Sequence, residues 1–584
     1  MTDDLTEIAD EVIETDVLMI GGGVGGCCAV AKAKENGLDV TLIEKAHIDR
    51  SGSAGQGIDH YEGFFTRDGT TTIENVSNED WRLGRYGVRY PNLNVKYRLY
   101  KCQFWVFEQL EKLGVPMRWD DGEPYWIPFP FVGWERRKTG LRVHWTNIKP
   151  ILGRAVRRSG ARILNRTMAI DLLTKDGKVV GATAVNIRTG EFIVIKAKAT
   201  LIATGKLMRL YNPETPMPWK YKFRYHFCPA SSAGDGYALV YRAGGDLVNM
   251  DINAWTFRIR DDLTCSYGSF SLNDGVPMKT YTWDGEEIIN PNATRYKQLE
   301  DEGKTPIYFG FDHFSEDSHK RLEVAFADER MLSFKVAEDR GFNPKTHRYE
   351  LQDLSPTGFY RVSGIYIDEN FRVLRGNKPI EGLYAFGDGS AGGTSGVAGA
   401  ATGGLLLAED LPEILQDMDE PEIDISQVEE QKQIALAPLA VEEGVEPLEL
   451  ESAIRDICER YVGMFKSEGK LREGLRRLGS LKDWLGKLSA ETPHHITGYL
   501  ECRNLLDLAE VHIKACIERK ETRGNYFRSD YPDIDPDMDG KFFSQRIENG
   551  KEIIELREPI PLKPEYLKDA EEEKAELQTA DAAS

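Results

Sequence analysis

Three things are scarce in this sequence, and each scarcity removes a class of function. Its eight cysteines (Cys27, Cys28, Cys102, Cys228, Cys265, Cys458, Cys502 and Cys516) include no Cys-x-x-Cys pair. The chain is therefore expected to hold no iron–sulfur cluster and no metal of its own, and the thiols read as small core residues in a reducing compartment. No run of about 18 apolar residues exists, so no membrane span is expected. The stretch Met1–Thr15 is acidic and lacks an apolar signal core, which points to a cytoplasmic protein. Positive charge is also short: 74 lysines and arginines face 95 aspartates and glutamates, a net charge of −21. That balance argues against nucleic acid and against anionic membrane surfaces, both of which need a basic face.

What the chain does have is length and one well-formed motif. Its 584 residues, 41% of them hydrophobic, suffice for two to four domains with sizeable cores. Val17–Ile20 is a short apolar run that reads as a buried parallel strand. Gly21, Gly23 and Gly26 follow on the G-x-G-x-x-G spacing, where glycines allow a tight turn, close approach of a pyrophosphate and close helix–strand packing. Cys27–Asn36 continues as a helix whose N-terminus offers free N–H groups to phosphates. A second strand, Asp39–Ile43, ends at Glu44, 18 residues after Gly26. A carboxylate there can accept hydrogen bonds from both ribose hydroxyls of an adenosine. A plain glycine-rich loop would not explain that acid, so this is read as a dinucleotide site.

The segment Arg50-Ser51-Gly52-Ser53-Ala54-Gly55-Gln56-Gly57 is rich in small residues that let backbone lie against a flat ring. Taken with the glycine loop and the Glu44-Lys45 pair, it resembles the flavoprotein subunits of succinate dehydrogenase, fumarate reductase and adenylylsulfate reductase. The resemblance runs from about residue 14 to 530. It implies an α/β fold: a Rossmann-like FAD-binding domain (12–250 and 351–412), an inserted capping domain (251–350), a C-terminal helical domain (423–530) and an acidic C-terminal extension (531–584). The cofactor implied is FAD. Ala161–Gly205 reads as a three-stranded insert ending at Thr204 and Gly205, near the flavin in the family; Lys206 stands where the family has a second glycine. Ala233-Gly234-Asp235-Gly236 resembles the family's T-G-D-G and carries over Asp235. Asp388 stands where the family has an acid for the ribityl chain, and Gly392–Gly404 reads as opening a helix at Leu405. The run from Arg519 to Pro532 resembles R-x-E-S-R-G…R-x-D-Y-P. The implied cofactor-binding set is Gly21, Gly23, Gly26, Glu44, Lys45, Ser51, Gly52, Ser53, Gln56, Gly57, Ala169, Thr204, Gly205, Asp235, Asp388, Gly404 and Leu405.

The resemblance is equally informative where it breaks. Succinate dehydrogenases and fumarate reductases attach FAD through a histidine in R-S-H; Gly52 stands in its place here, as in adenylylsulfate reductases, so the flavin is expected to be non-covalent. The family's dicarboxylate-binding histidines fall on Thr256 and Phe359, and an arginine falls on Gly399. A dicarboxylate needs bidentate cations to offset its desolvation, so succinate and fumarate are disfavoured. Arg258, Tyr360 and Arg361 lie near the same places and are the candidate catalytic residues for a small anionic substrate. The enzyme reading is an FAD-dependent oxidoreductase subunit like the adenylylsulfate reductase alpha chain. The alternatives are an enoate- or acyl-type reductase or dehydrogenase, and an electron-relay flavoprotein in a larger redox complex. Lacking its own cluster, the chain is expected to work with a ferredoxin-like iron–sulfur subunit.

Overall fold

In the computed structural model the described residues are 2–58, 60–63, 88–125, 139–142, 147–211, 229, 231–259, 279–289, 293–316, 319–320, 339–343, 345–359, 361–392, 396–569 and 571–572. Helix α1 (Thr2–Ile8) leads into strand β1 (Glu11–Ile20), helix α2 (Val24–Glu35) and strand β2 (Val40–Glu44). The strand starts before Asp16, inside the acidic stretch Met1–Thr15. Glu11 to Thr15 pair in parallel with Ile193 to Ala197, and Ile13 is buried. Glutamates on either side of Val12-Ile13 hide that pairing from a simple apolar count. The four apolar residues Val17–Ile20 are buried as expected and pair with Val40–Ile43.

The rest of the sheet is assembled from distant segments. Helix α3 (Ile148–Ser159) precedes β3 (Arg162–Asn165), β4 (Thr167–Lys175), β5 (Lys178–Asn186) and β6 (Phe192–Ile202). The antiparallel run β4-β5-β6 is the expected insert, and its last strand re-enters the parallel sheet beside β1. Helix α4 (Asp235–Arg242) and the short β7 (Leu247–Val248) follow. A second sheet lies within residues 254–358, from β8 (Ala254–Ile259), β9 (Lys279–Thr282), β10 (Glu287–Ile288), β11 (Ile307–Gly310) and β12 (Arg348–Gly358), in the order β8-β12-β11-β9-β10. The chain then returns through β13 (Gly364–Tyr366), β14 (Arg372–Arg375) and β15 (Lys378–Ala385). The path of the main sheet is β14-β15-β6-β1-β2-β3. After Ser390–Ala391, which pairs with β13, comes α5 (Val397–Gln416), packed on α2.

Helices α6 (Ile425–Leu436), α7 (Pro447–Ile457), α8 (Glu468–Leu481) and α9 (Pro493–Glu518) form the C-terminal unit. The sequence pattern suggests one helix from Leu448 to Glu468. It stops at Ile457, passes through a wide turn at Cys458–Val462 and ends at Gly463 with φ 49°. Phe465–Lys466 then pairs with Phe527–Arg528, an interaction that a helical stripe cannot reveal. Helix α9 begins at Pro493 rather than near Leu500, with proline in the first turn, where its missing N–H costs nothing. The acidic extension carries β16 (Phe542–Glu548) and β17 (Lys551–Arg557), a hairpin that joins β7. Among the described residues no helix is long and apolar enough to cross a membrane.

Candidate cofactor site

A cavity opens at the carboxyl ends of β1, β2 and β6, where an open α/β sheet holds its ligands. The glycine loop forms one wall. Gly21 has φ 106°, and a Cβ on it would lie 2.6 Å from the Ala203 carbonyl oxygen. A Cβ on Gly26 would fall 2.0 Å from the Gly21 oxygen, so the turn and the start of α2 pack backbone to backbone. Gly23 differs: a Cβ there meets no atom within 4 Å, and the residue lines the cavity.

Of the residues expected from sequence, Gly21, Gly23, Glu44, Lys45, Gly52, Ser53, Ala169, Thr204, Gly205, Asp235 and Asp388 line this one cavity. Gly26, Ser51, Gly57, Gly404 and Leu405 are not among its described lining residues, and the Gln56 side chain lies outside the described set. Ser51 Oγ instead donates to the Gly22 carbonyl at 3.0 Å. Gly57 closes the turn Ser53–Gln56 through its N–H to the Ala54 oxygen. The placement of Gly404 and Leu405 at a helix start needs correction. Helix α5 begins at Val397, capped by Gly396 with φ 93°, so both residues lie inside it with their N–H groups used by the helix. A Cβ on Gly404 would lie 2.3 Å from the Gly25 oxygen; this glycine serves helix packing. The helix end that reaches the cavity is Gly396, Val397 and Ala400. Sequence reasoning missed these, together with Thr167, Met168, Ser231, Ser232 and Phe386. For Gly396, Val397 and Ala400 the one signal is the small-residue run before Leu405; the other five have none.

The charged residues of the wall are tied down. Glu44 Oε2 accepts the Gly22 N–H and Oε1 accepts the Ala46 N–H, both at 2.7 Å. Each oxygen keeps a second lone pair for a ribose hydroxyl. Lys45 Nζ donates to Asp235 at 2.6 Å and to Glu501 of α9 at 2.7 Å. Burial alone would lower the Lys45 pKa; the two carboxylates more than reverse it and hold the ammonium above the usual lysine range. Arg209 donates to the other Glu501 oxygen and to Glu451, which Arg455 also meets. Asn504 donates to Asp235 at 3.0 Å. Asp388 accepts the Gly396 N–H at 2.9 Å, and Lys206, in the family's glycine position, is buried 3.2 Å from it.

The candidate catalytic residues are less fully described. Tyr360 lies outside the described residues, and for Arg258 only the backbone, in β8, is described. Arg361 sits between β12 and β13 with φ 69°, its carbonyl accepting the Gly392 N–H at 2.8 Å, and is not among the described cavity-lining residues. Phe359 is wholly buried, its ring edge-on to His512 with 4.8 Å between centroids. His512 is a buried histidine that the sequence did not single out. Its Nδ1 donates to the Met250 carbonyl at 2.6 Å, so its Nε2 accepts from the Tyr211 hydroxyl at 2.5 Å.

These residues suit a flavin dinucleotide: an open glycine cradle at a helix N-terminus for the pyrophosphate, an acid at the second strand end for the ribose, and Gly52 and Ala54 where a flat ring can lie close. The geometry is that of a dinucleotide-binding site. Residues 104–260 and 296–405 match the FAD binding domain model, and residues 451–558 match the fumarate reductase flavoprotein C-terminal model. The chain thus carries an FAD-binding domain and a fumarate reductase flavoprotein C-terminal domain; its cofactor is FAD and it is an FAD-dependent oxidoreductase. One chain of the CoM/CoB fumarate reductase of Methanothermobacter marburgensis is 23% identical over 573 residues, covering 90% of this chain and 96% of that protein. L-aspartate oxidase of Yersinia pestis is 24% identical over 439 residues, 68% of this chain and 72% of its own length. In fold, the chain is similar to adenylylsulfate reductase from Archaeoglobus fulgidus, with TM-score 0.77 and 23% identity over 95% of this chain and 96% of that one. The corresponding figures for E. coli quinol fumarate reductase are 0.74, 17%, 95% and 98%.

Proposed function

We propose that this chain is the flavoprotein subunit of a cytoplasmic oxidoreductase that acts on a small anionic substrate other than a C4 dicarboxylate, in the manner of the adenylylsulfate reductase alpha chain. The observation that carries this reading is Phe359. It occupies the position of a family substrate histidine, is fully buried, and has its N–H bound to the Leu207 carbonyl at 2.9 Å. Gly399, at the family's arginine position, is buried inside α5. Two cationic or polar contacts to a dicarboxylate are thereby missing. Bound FAD supplies two-electron chemistry. The protein's own part is to hold the dinucleotide through Gly23, Glu44 and Asp388 and to orient the anion through Arg258, Tyr360 and Arg361.

Electrons must reach or leave the site. A ferredoxin-like iron–sulfur subunit is the partner proposed, since the sequence has no Cys-x-x-Cys pair for a cluster of its own. The test is native purification without oxygen, followed by assays with adenylylsulfate, sulfite plus AMP, enoates, succinate and fumarate. A brown two-chain complex with iron in proportion to flavin, active on the sulfur substrates, is expected. Succinate-dependent dye reduction well above background would overturn the substrate class. A yellow, iron-free protein reacting with NAD(P)H by itself would overturn the partner. Turnover of enoates alone would favour the second reading, an enoate-type reductase, for which the M. marburgensis likeness speaks.

A further inference from the structure

One carbonyl oxygen behind the cavity gathers three side-chain donors. Lys149 Nζ, Ser51 Oγ at 3.0 Å and Cys27 Sγ at 3.3 Å all point at the oxygen of Gly22. Lys149 comes from α3, is fully buried and also reaches Cys27 Sγ at 3.1 Å. It is not among the described lining residues of the cavity, and nothing in the redox chemistry calls for it. Burial pushes the Cys27 thiol up, so it stays protonated and able to donate.

The consequence follows from peptide geometry. A trans peptide is planar, with its C=O and N–H pointing opposite ways. With the Gly22 oxygen drawn back into the protein, the N–H of Gly23 in the same peptide unit turns the other way. Gly23 lines the cavity and caps α2, at the end where helix amides lack partners. The preceding peptide unit is held as well, because the Gly22 N–H is donated to Glu44 at 2.7 Å. A glycine-rich loop has more backbone conformations to choose from than any other, so a lock on it has real leverage.

We propose that Lys149 is a positioning residue for the pyrophosphate of the dinucleotide: its ammonium locks the Gly22–Gly23 peptide with the Gly23 N–H directed into the cavity. It also places a buried positive charge behind the loop, where the field favours an anion. Loop preorganisation of this kind saves ordering cost on binding, and it acts on the phosphates rather than on the sugar or base.

That last point gives the test. Protein stripped of flavin is titrated calorimetrically with ADP, which has the pyrophosphate, and with adenosine, which lacks it; FAD is titrated by fluorescence. Lys149→Met is expected to weaken FAD and ADP about tenfold or more, the scale of a lost charged hydrogen bond. It should leave adenosine nearly unchanged, and Lys149→Arg should recover most of the ADP affinity. If the Met variant does not fold, Lys149→Gln carries the same comparison, with selective loss of ADP expected. Equal weakening of ADP and adenosine would reduce Lys149 to a structural residue. Wild-type ADP affinity in the Met or Gln variant would remove the lock altogether. Either result overturns the proposal.

Discussion

Glu44 and His512 show two ways in which this fold holds a buried titratable side chain. Glu44 is met by two backbone amides. Replacing it by alanine is expected to cost about 1–3 kcal/mol of FAD binding, since a charged hydrogen-bond partner is lost; fluorescence titration reads this directly. His512 is held neutral. Burial chiefly, with the Lys466 charge, pushes its pKa down from 6.5 to about 3, against the hydrogen bond to Met250. Below pH 6.5 the unfolded chain takes up a proton that the folded chain refuses until near pH 3. Stability is therefore lost as pH falls through that window, by up to about 1.4 kcal/mol per pH unit. His512→Gln is expected to reduce the drop in urea midpoint between pH 7 and pH 5. An unchanged drop would mean that other groups set the acid sensitivity.

At the scale of elements, α9 does more than fill a bundle. Through Glu501 and Asn504 it reaches Lys45 and Asp235 in the cavity wall. Glu501→Leu leaves Lys45 and Arg209 without a shared buried partner. It is expected to destabilise the protein by about 3–5 kcal/mol, visible as a lower urea midpoint. None of this was legible in the sequence, because contacts between residues hundreds of positions apart leave no local period. The unit β1–α2–β2 was legible, since strand, glycine spacing and terminal acid all agree. The start of α5 was not: Gly392–Gly404 is made of small residues, mostly glycine and alanine, with no apolar stripe to mark a first turn. The hairpin β16–β17 was hidden by the charges interleaved with Phe542 and Phe543. At the site, the residues of the glycine loop and strand ends could be named in advance, whereas Phe386, Met168 and the Lys149 lock could not.

For the molecule as a whole, the way FAD is held follows from one backbone position. Gly52 lines the cavity with φ 74°, a conformation that L side chains rarely adopt, and a Cβ there would lie 3.0 Å from Gly23 Cα. The position where the family's linking histidine would stand is thus shaped for glycine. Acid precipitation of the protein is expected to release all the yellow colour into the supernatant; colour remaining in the pellet would mean a covalent link from another residue. The net charge of −21 suits steering of a partner with a basic face. Association with the proposed iron–sulfur partner is accordingly expected to slow as salt is raised, as stopped-flow mixing would show.

The cavity wall draws on residues from Ile20 to Ala400, and Lys45 gains its second carboxylate only when Glu501 arrives. The first glycine loop therefore leaves the ribosome long before the pocket it belongs to exists. At about 5–20 residues per second, the nascent chain spends tens of seconds with β1 and β2 made but β15 still missing from the sheet. Flavin capture is thus a late event in the life of each chain, and a chain stalled before residue 400 should emerge colourless.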